Sequence, residues 1–556
     1  LLSLALAACA LGCDPEPSRY FGTTKPRHPP DEVWTNLGSE PEWIDPGKCS
    51  DSAGGTVIFN VFAGLTQAHP QTLQPMPDVA ERWDVSADGR TYTFHLRPSV
   101  WSDGVALTAH DFEYAWKRVL DRATASKYAS FLFPIENAEA FNRGEVGAAA
   151  VGVRALDDLT LQVTLAAPLP YFLQLTSFYT ALPVPRHLIE RLAREGKNPD
   201  LWTRAENIVS NGAFTLAEWN FRKDMLLAKN PRYWDAAHVR MRRVRLAMID
   251  SANTTLNLYE SGELDTIGTS ALPSEFMDHL SRYADFERKP SLMTYFFWIN
   301  TKRKPLDDVR VRRALNLAVD RRALVEFVTR AGQLPSADLV PEGLAGYRGP
   351  HTPIFDLAAA RKLLAEAGYG PGRPLPKITL LYNTSEGHKQ IAEAVAQMWK
   401  HNLGIEVELE NQEWKVYLKT LKALDFQVAR MGWVGDYADP YTFLELLTAS
   451  NGNNHSNWSD PEYEALLRRA NATLDCDARL ALLSRAEALA MAAAPMVPIY
   501  VATRSELVKP YVMGHFINYQ QRLLFKYWWI DTRYYDGVPA HRLPNTPPPL
   551  PGEASP

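Results

Sequence analysis

The sequence predicts an α/β protein of two or three domains, and three observations carry that expectation. The chain has 556 residues, more than one hydrophobic core holds. Between residues 356 and 431, short apolar runs alternate with segments of helical period, which implies right-handed crossovers and a parallel sheet. Ahead of that region strands and helices mix irregularly, in the manner of an α+β unit.

Residues 1–13, "LLSLALAACALGC", are almost wholly apolar and too short to span a bilayer. They read as the h-region of a secretory signal, met without an initiator Met or a basic lead-in, so the sequence is taken to begin inside it. Leu6-Ala7-Ala8-Cys9 resembles the lipobox of bacterial lipoproteins, in which the cysteine is acylated. Cys13, at the apolar-to-polar boundary, is the alternative, and a cleaved signal without lipid is the third reading. A multiply acylated cysteine would hold a soluble body on a membrane surface. Residues 14–31 read as a Pro-rich linker and 536–556 as a Pro-rich disordered tail.

In the body, Thr56–Val61 reads as a strand, and Thr91–Leu96 alternates apolar and polar residues as a second. Thr108 caps a helix with Phe112, Ala115, Trp116 and Val119 on one face. Leu161–Leu165 alternates again. Asp356 caps a helix carrying Leu357, Ala360, Leu363, Leu364 and Ala367, and Gly368 ends it. A strand over Ile378–Tyr382, a helix over 388–402 stopped by Gly404, a strand over Ile405–Leu409, a helix over Trp414–Leu424 and a strand over Phe426–Met431 follow. In parallel sheets of this kind, ligands sit beyond the carboxyl ends of strands. Asp436 lies a few residues beyond the last strand, between Trp433 and Tyr437. Its position leaves two readings: an acid facing a crevice, or a loop acid closing an Asx-turn between Gly435 and Pro440.

Hydrophobic residues at 46% and charged residues at 22% fit a soluble globular protein. A net charge of −5 without any basic block argues against nucleic-acid binding. The 15 Trp point to large cores or to a ring-lined cleft. The 13 His contain no pair at i, i+4 and no His-Glu-x-x-His, and Cys49 and Cys476 lack ligand spacing, so neither metal nor cofactor is expected. Those two cysteines are open to one long-range disulfide or to two thiols. No Gly-x-Ser-x-Gly elbow, P-loop or Gly-x-Gly-x-x-Gly after a strand is present, and no carboxylate pair stands out for acid/base work.

Longer motifs then carry a resemblance. "LLYNTSEGHKQIAEAVAQMWK" (380–400), "NQEWKVYL" (411–418), "DFQVARMGWVGDYADP" (425–440), "PLDDVRVRRALNLAVDR" (305–321) and "NIVSNGAFTLAEW" (207–219) resemble the periplasmic oligopeptide-binding proteins of ABC importers. So do "GSEPEWIDP" (38–46), "YTFHLRPSVWSDGVALTAHDFEYAWKRVLDRATASKYAS" (92–130) and "IYVATRSELVKPYVMG" (499–514). That family also includes dipeptide, murein-peptide, nickel and haem binders. The resemblance implies a periplasmic-binding-protein-like fold, two lobes with parallel-rich sheets closing on a ligand, plus an inserted α+β domain. Domain I would comprise 32–62, 186–292 and 504–535, domain II 63–185, and domain III 293–503. The implied function is that of an extracytoplasmic receptor. It takes short peptides with little sequence preference and delivers them to the permease subunits of an ABC importer. It would act as a monomer in the periplasm or at the outer face of the cytoplasmic membrane, held to the membrane surface by its lipid anchor. A murein peptide or a non-peptide ligand on the same fold is the alternative, and a peptidase has no motif to support it.

The resemblance also implies roles. Asp436, the acid of Gly-Trp-x-x-Asp-Tyr, would pair with the peptide α-ammonium. In a closed, dry cleft that contact is charge-assisted and poorly screened. An N-acetylated peptide would leave the buried carboxylate unpaired at about 3–5 kcal/mol. The peptide would lie extended on backbone hydrogen bonds, with its side chains in hydrated pockets. Trp414 and Trp433 match pocket aromatics, Tyr128 matches a ligand-facing ring of domain II, and Tyr437 completes the motif; core packing is the competing reading for each ring. His388 and Arg430 match residues that dock the peptide C-terminus. Ser50 stands where the family carries an acid, with Asp51 beside it. A family Lys falls at Thr329, next to Arg330, and a family Arg at Leu421, next to Lys422. A disulfide of some relatives would join Met293 and Val434 and is therefore absent.

Overall fold

The structure is a computed structural model that describes residues 19–535 apart from 71–74, 170, 269–271, 371, 474 and 517–521. The expected signal with Cys9 and Cys13, and the tail 536–556, lie outside the described residues. Asp356, Ser385 and Glu413 each accept a hydrogen bond from a first-turn backbone N–H and so start the helices Leu357–Glu366, Glu386–Leu403 and Trp414–Lys422. Gly404, at φ 70°, supplies the left-handed residue that stops the second. The helix Ala109–Leu120 also forms, and Phe112, Ala115, Trp116 and Val119 are all buried.

The main sheet has eleven strands, numbered here in chain order. They are β1 Glu32–Asn36, β2 Phe214–Asn220, β3 Asp224–Lys229, β4 Arg243–Ala247, β5 Thr266–Ile267, β6 Phe286–Ile299, β7 Leu334–Pro335, β8 Ile378–Asn383, β9 Val407–Gln412, β10 Val428–Val434 and β11 Met496–Val508. The order across the sheet is β2-β3-β4-β1-β5-β11-β6-β10-β8-β9, with β7 pairing β11. β8 pairs both β9 and β10 in parallel, as the helical crossovers require. β6 pairs antiparallel to β10 and β11, so the sheet as a whole is mixed. β6 and β11 are the long strands, of 14 and 13 residues, and they join the two ends of the sheet. Their register shifts between Pro290 and Thr294, an irregularity of the kind that kinks a strand pair locally. Apart from this sheet, Ala80–Val85, Thr91–Leu96, Thr160–Thr164 and Val153–Asp157 form a four-stranded antiparallel sheet under the helix Ala109–Leu120.

Two expectations change, and the open question of the cysteines closes. Thr56–Val61 belongs to a helix, Ser52–Val61, started by Asp51, whose carboxylate accepts the Gly54 N–H at 2.8 Å. Val57, Ile58 and Val61 are wholly buried, so packing and the cap override the β-branched content. The expected linker is docked from Phe21 onward. The Phe21 N–H donates to Asp285 at 3.0 Å, Lys509 Nζ donates to the Phe21 carbonyl at 3.0 Å, and the ring packs on Tyr259. Cys49 is buried and Cys476 exposed, and both are free thiols. Met293 and Val434 are direct cross-strand partners on β6 and β10.

Candidate ligand-binding site

Alternate residues of β11, Tyr500, Ala502, Arg504 and Glu506, line a cavity of about 710 Å³, because side chains two apart on a strand share a face. The carboxyl end of β10 supplies Arg430, Trp433 and Asp436, the first turn of the helix Glu386–Leu403 supplies Ser385 and His388, and the α+β insertion supplies Tyr128 and Tyr179. A cavity of this size, with mixed rings and a few polar groups, has the character of a small-ligand site.

Asp436 lies on the cavity wall and is 7% exposed. Its N–H donates to the Thr442 hydroxyl at 2.9 Å, and the Trp433 indole N–H donates to the Thr442 carbonyl at 2.8 Å. Thr442 therefore fixes both motif residues from the helix that follows. Burial raises the Asp436 carboxyl well above the usual carboxylate range, and the Glu445 carboxylate adds to the rise. The Arg522 guanidinium and the Tyr128 hydroxyl pull the other way. Trp433 stacks on Tyr128 with centroids 6.2 Å apart, and Tyr128 meets Tyr179 edge to face at 5.7 Å.

Arg430 is buried, donates from Nη1 to Asn383 Oδ1 at 3.3 Å and lies 4.7 Å from the Tyr295 ring centre. His388 Nδ1 is 3.3 Å from the Tyr295 hydroxyl. Burial, then the Arg430 charge, pushes His388 well below its ordinary range, so at neutral pH it offers hydrogen bonds and no charge. Trp414 lines the cavity half-buried and stacks on Tyr417. Ser50 lines it too, and its hydroxyl accepts from Lys127 Nζ at 3.0 Å.

Several sequence candidates point elsewhere. Tyr437 does not line the cavity; its ring stacks on Tyr171 at 4.7 Å and its hydroxyl donates to Glu445 at 2.9 Å. Asp51 lines the cavity beside Ser50, but its carboxylate is engaged as a helix cap, accepting the Gly54 and Glu42 N–H groups at 2.8 and 3.2 Å. Arg330 pairs with Asp278 on the surface, and Lys422 is exposed at the end of its helix, so neither stands in the cavity for Thr329 or Leu421. Thr329 does line the cavity and donates to Gln333 Oε1 at 2.8 Å, while Leu421 is core. The sequence reading did not single out Arg522, Arg504, Tyr295, Tyr500 or His515. Only the period of two along β11 hinted at any of them. Among the described residues no cluster of His, Cys, Asp and Glu is placed for a metal ion, and no helix is long and apolar enough to cross a membrane.

A large mixed sheet joined by two long strands, a cavity lined by one of them and a separate four-stranded sheet fit the class of a solute-binding protein. The chain belongs to the bacterial extracellular solute-binding proteins, family 5, whose middle-region model matches residues 74–455. The oligopeptide-binding protein OppA of Bacillus subtilis is 39% identical over 479 residues, covering 84% of this chain and 87% of that protein. Among solved structures, Haemophilus influenzae OppA in complex with the peptide RPPGFSPFR superposes with a TM-score of 0.85 at 34% identity, covering 90% of this chain and 99% of that one. The murein tripeptide-binding protein MppA of Escherichia coli gives 0.86 at 36% identity, with 91% and 99% covered. Its unliganded open form gives only 0.62, at 35% identity with 93% and 100% covered, so the arrangement here is less like that open form.

Proposed function

We propose that this protein captures short peptides outside the cytoplasm, encloses them between its lobes and delivers them to the permease of an ABC importer. The observation that carries the reading is a buried carboxyl, Asp436, and a buried guanidinium, Arg430, on one cavity wall. They are six residues apart in sequence, so the chain limits their separation to about 22 Å. A zwitterionic chain with an ammonium at one end and a carboxylate at the other fits such a pair. Trp433, Tyr128 and Trp414 give apolar walls that accept varied side chains, and backbone hydrogen bonds supply affinity that ignores sequence. The peptide-binding names of the OppA relatives support the same reading.

In this reading residues 32–62, 186–292 and 504–535 form one lobe, 293–503 the other, and 63–185 the insertion. Cys9, or Cys13, carries the lipid anchor, and the protein works as a monomer without cofactor. The test is to incubate the protein with a peptide mixture, denature it and analyse what it retained by mass spectrometry. Intact short peptides are expected. A defined non-peptide molecule, a murein peptide alone, or shortened products would overturn the reading.

A further inference from the structure

Three arginines line the cavity: Arg430, Arg504 and Arg522. Arg430 donates to Asn383, and Arg522 donates to Ser177 and to the Asp436 carbonyl. Arg504 differs. It is 8% exposed, and its Nε donates to Glu506. No described residue accepts a hydrogen bond from its two terminal nitrogens. Glu506, 2% exposed, has its second oxygen 3.1 Å from His515 Nε2; it lines the same cavity and holds the guanidinium at Nε. Burial pulls Arg504 down only to about 10, so it stays charged at neutral pH. Thr329, facing the same cavity, donates its hydroxyl to Gln333 and carries no charge.

Tyr500 shows where Arg504 stands along the floor. It pairs with Tyr295, whose hydroxyl meets His388 and whose ring faces Arg430. Arg504 is four positions further along β11 on the same face, about 13 Å at about 3.3 Å per residue. A charged group that is nine-tenths buried, lines the cavity, and has only its Nε donor taken by a neighbouring acid is suited to an anion.

Resting on the peptide reading, we propose that Arg504, held by Glu506, is a second carboxylate-docking point of the cavity, distinct from the His388–Arg430 cluster. It would take either the C-terminus of a peptide that reaches further along β11 or an acidic side chain. Two parallel N–H···O bonds to one carboxylate are the geometry a guanidinium favours.

The test titrates a length ladder of alanine peptides, each as free acid and as C-terminal amide, by calorimetry. A second set of amidated peptides carries Glu or Gln at each position in turn. Both sets are measured on the full chain, on Arg504→Gln, and on Arg504→Gln/Glu506→Gln, which leaves no orphaned buried charge if the single variant does not fold. The expected result is that some acid/amide or Glu/Gln affinity ratio falls about tenfold or more in the substituted proteins, while other peptides bind as before. A fall confined to the acid/amide pairs assigns the peptide terminus, and one confined to Glu/Gln assigns the side chain; either sustains the proposal. Peptides that still bind with every ratio unchanged would overturn it and leave the peptide reading standing. Failure of every peptide to bind the unsubstituted protein would overturn both.

Discussion

Arg522 donates from Nη2 to the backbone carbonyl of Asp436 at 3.2 Å, across 86 positions of sequence. Its guanidinium lies 4.5 Å from the centre of the Phe59 ring and within electrostatic reach of the Asp436 carboxyl. The motif acid therefore does not face the cavity alone. A buried positive charge stands beside it before any ligand arrives, and this softens the penalty that an acetylated peptide incurs.

Asp436→Asn is expected to lower affinity for peptides with a free amine by about tenfold to a hundredfold, the range of a charge-assisted hydrogen bond. Acetylated peptides should lose much less. Calorimetry on matched free and acetylated peptides measures the ratio. Equal affinity of the two forms for the unsubstituted protein would remove the proposed role of Asp436.

Peptide binding should release protons. The Asp436 carboxyl sits well above its ordinary range, so below that raised value it holds a proton. An ammonium docking beside it favours the carboxylate and drives the proton off. Affinity should then rise with pH across the window between the liganded and empty values. Titrations in buffers of different ionisation heat report the proton count. Asp436→Asn should abolish the release, and proton uptake by the unsubstituted protein would contradict the assignment.

Arg430→Ala should change the preferred peptide length instead of ending binding, because the amine end is held elsewhere. Competition across a length ladder reads this out. A uniform loss at every length would mean that Arg430 acts on cavity structure and not on the peptide terminus.

Stability should fall as pH rises through about 8. Glu487 is fully buried; it accepts the Leu339 and Val340 N–H groups at 2.7 and 2.8 Å and the Tyr347 hydroxyl. Burial and Asp338 push it up to about 8. The folded state therefore keeps a proton that the unfolded chain releases near the ordinary glutamate value. This contribution is complete below that value and lost as pH passes about 8, at up to about 1.4 kcal/mol per pH unit. Urea unfolding at a series of pH values should show the decline, and Glu487→Gln should make it shallower. An identical slope in both proteins would count against the buried proton.

Much of this was legible beforehand where the signal was local. Caps at Asp356 and Thr108, the stop at Gly404 and the alternation of Thr91–Leu96 each depend on a few neighbouring residues, and each element formed. Thr56–Val61 misled because β-branched content resembles a strand, and a helix buried on most sides has no polar face to betray its period. Arg330 and Lys422 adjoin Thr329 and Leu421 in sequence, yet both are exposed: one step along the helix turns Lys422 by roughly 100°, and Arg330 lies past the end of its helix in the left-handed region at φ 52°.

The sequence by itself determined the strand–helix alternation of the second lobe, and with it a carboxylate placed just beyond the end of a parallel strand. These follow from periodicity and capping, which act over a few residues. Only the tertiary structure decided that Asp436 lines the cavity and Tyr437 does not, that Arg522 stands beside the acid, and that Arg504 lines the same space. Those relations join residues tens to hundreds of positions apart. They are fixed by how the lobes pack and by what the packing removes from water, and no local pattern encodes that.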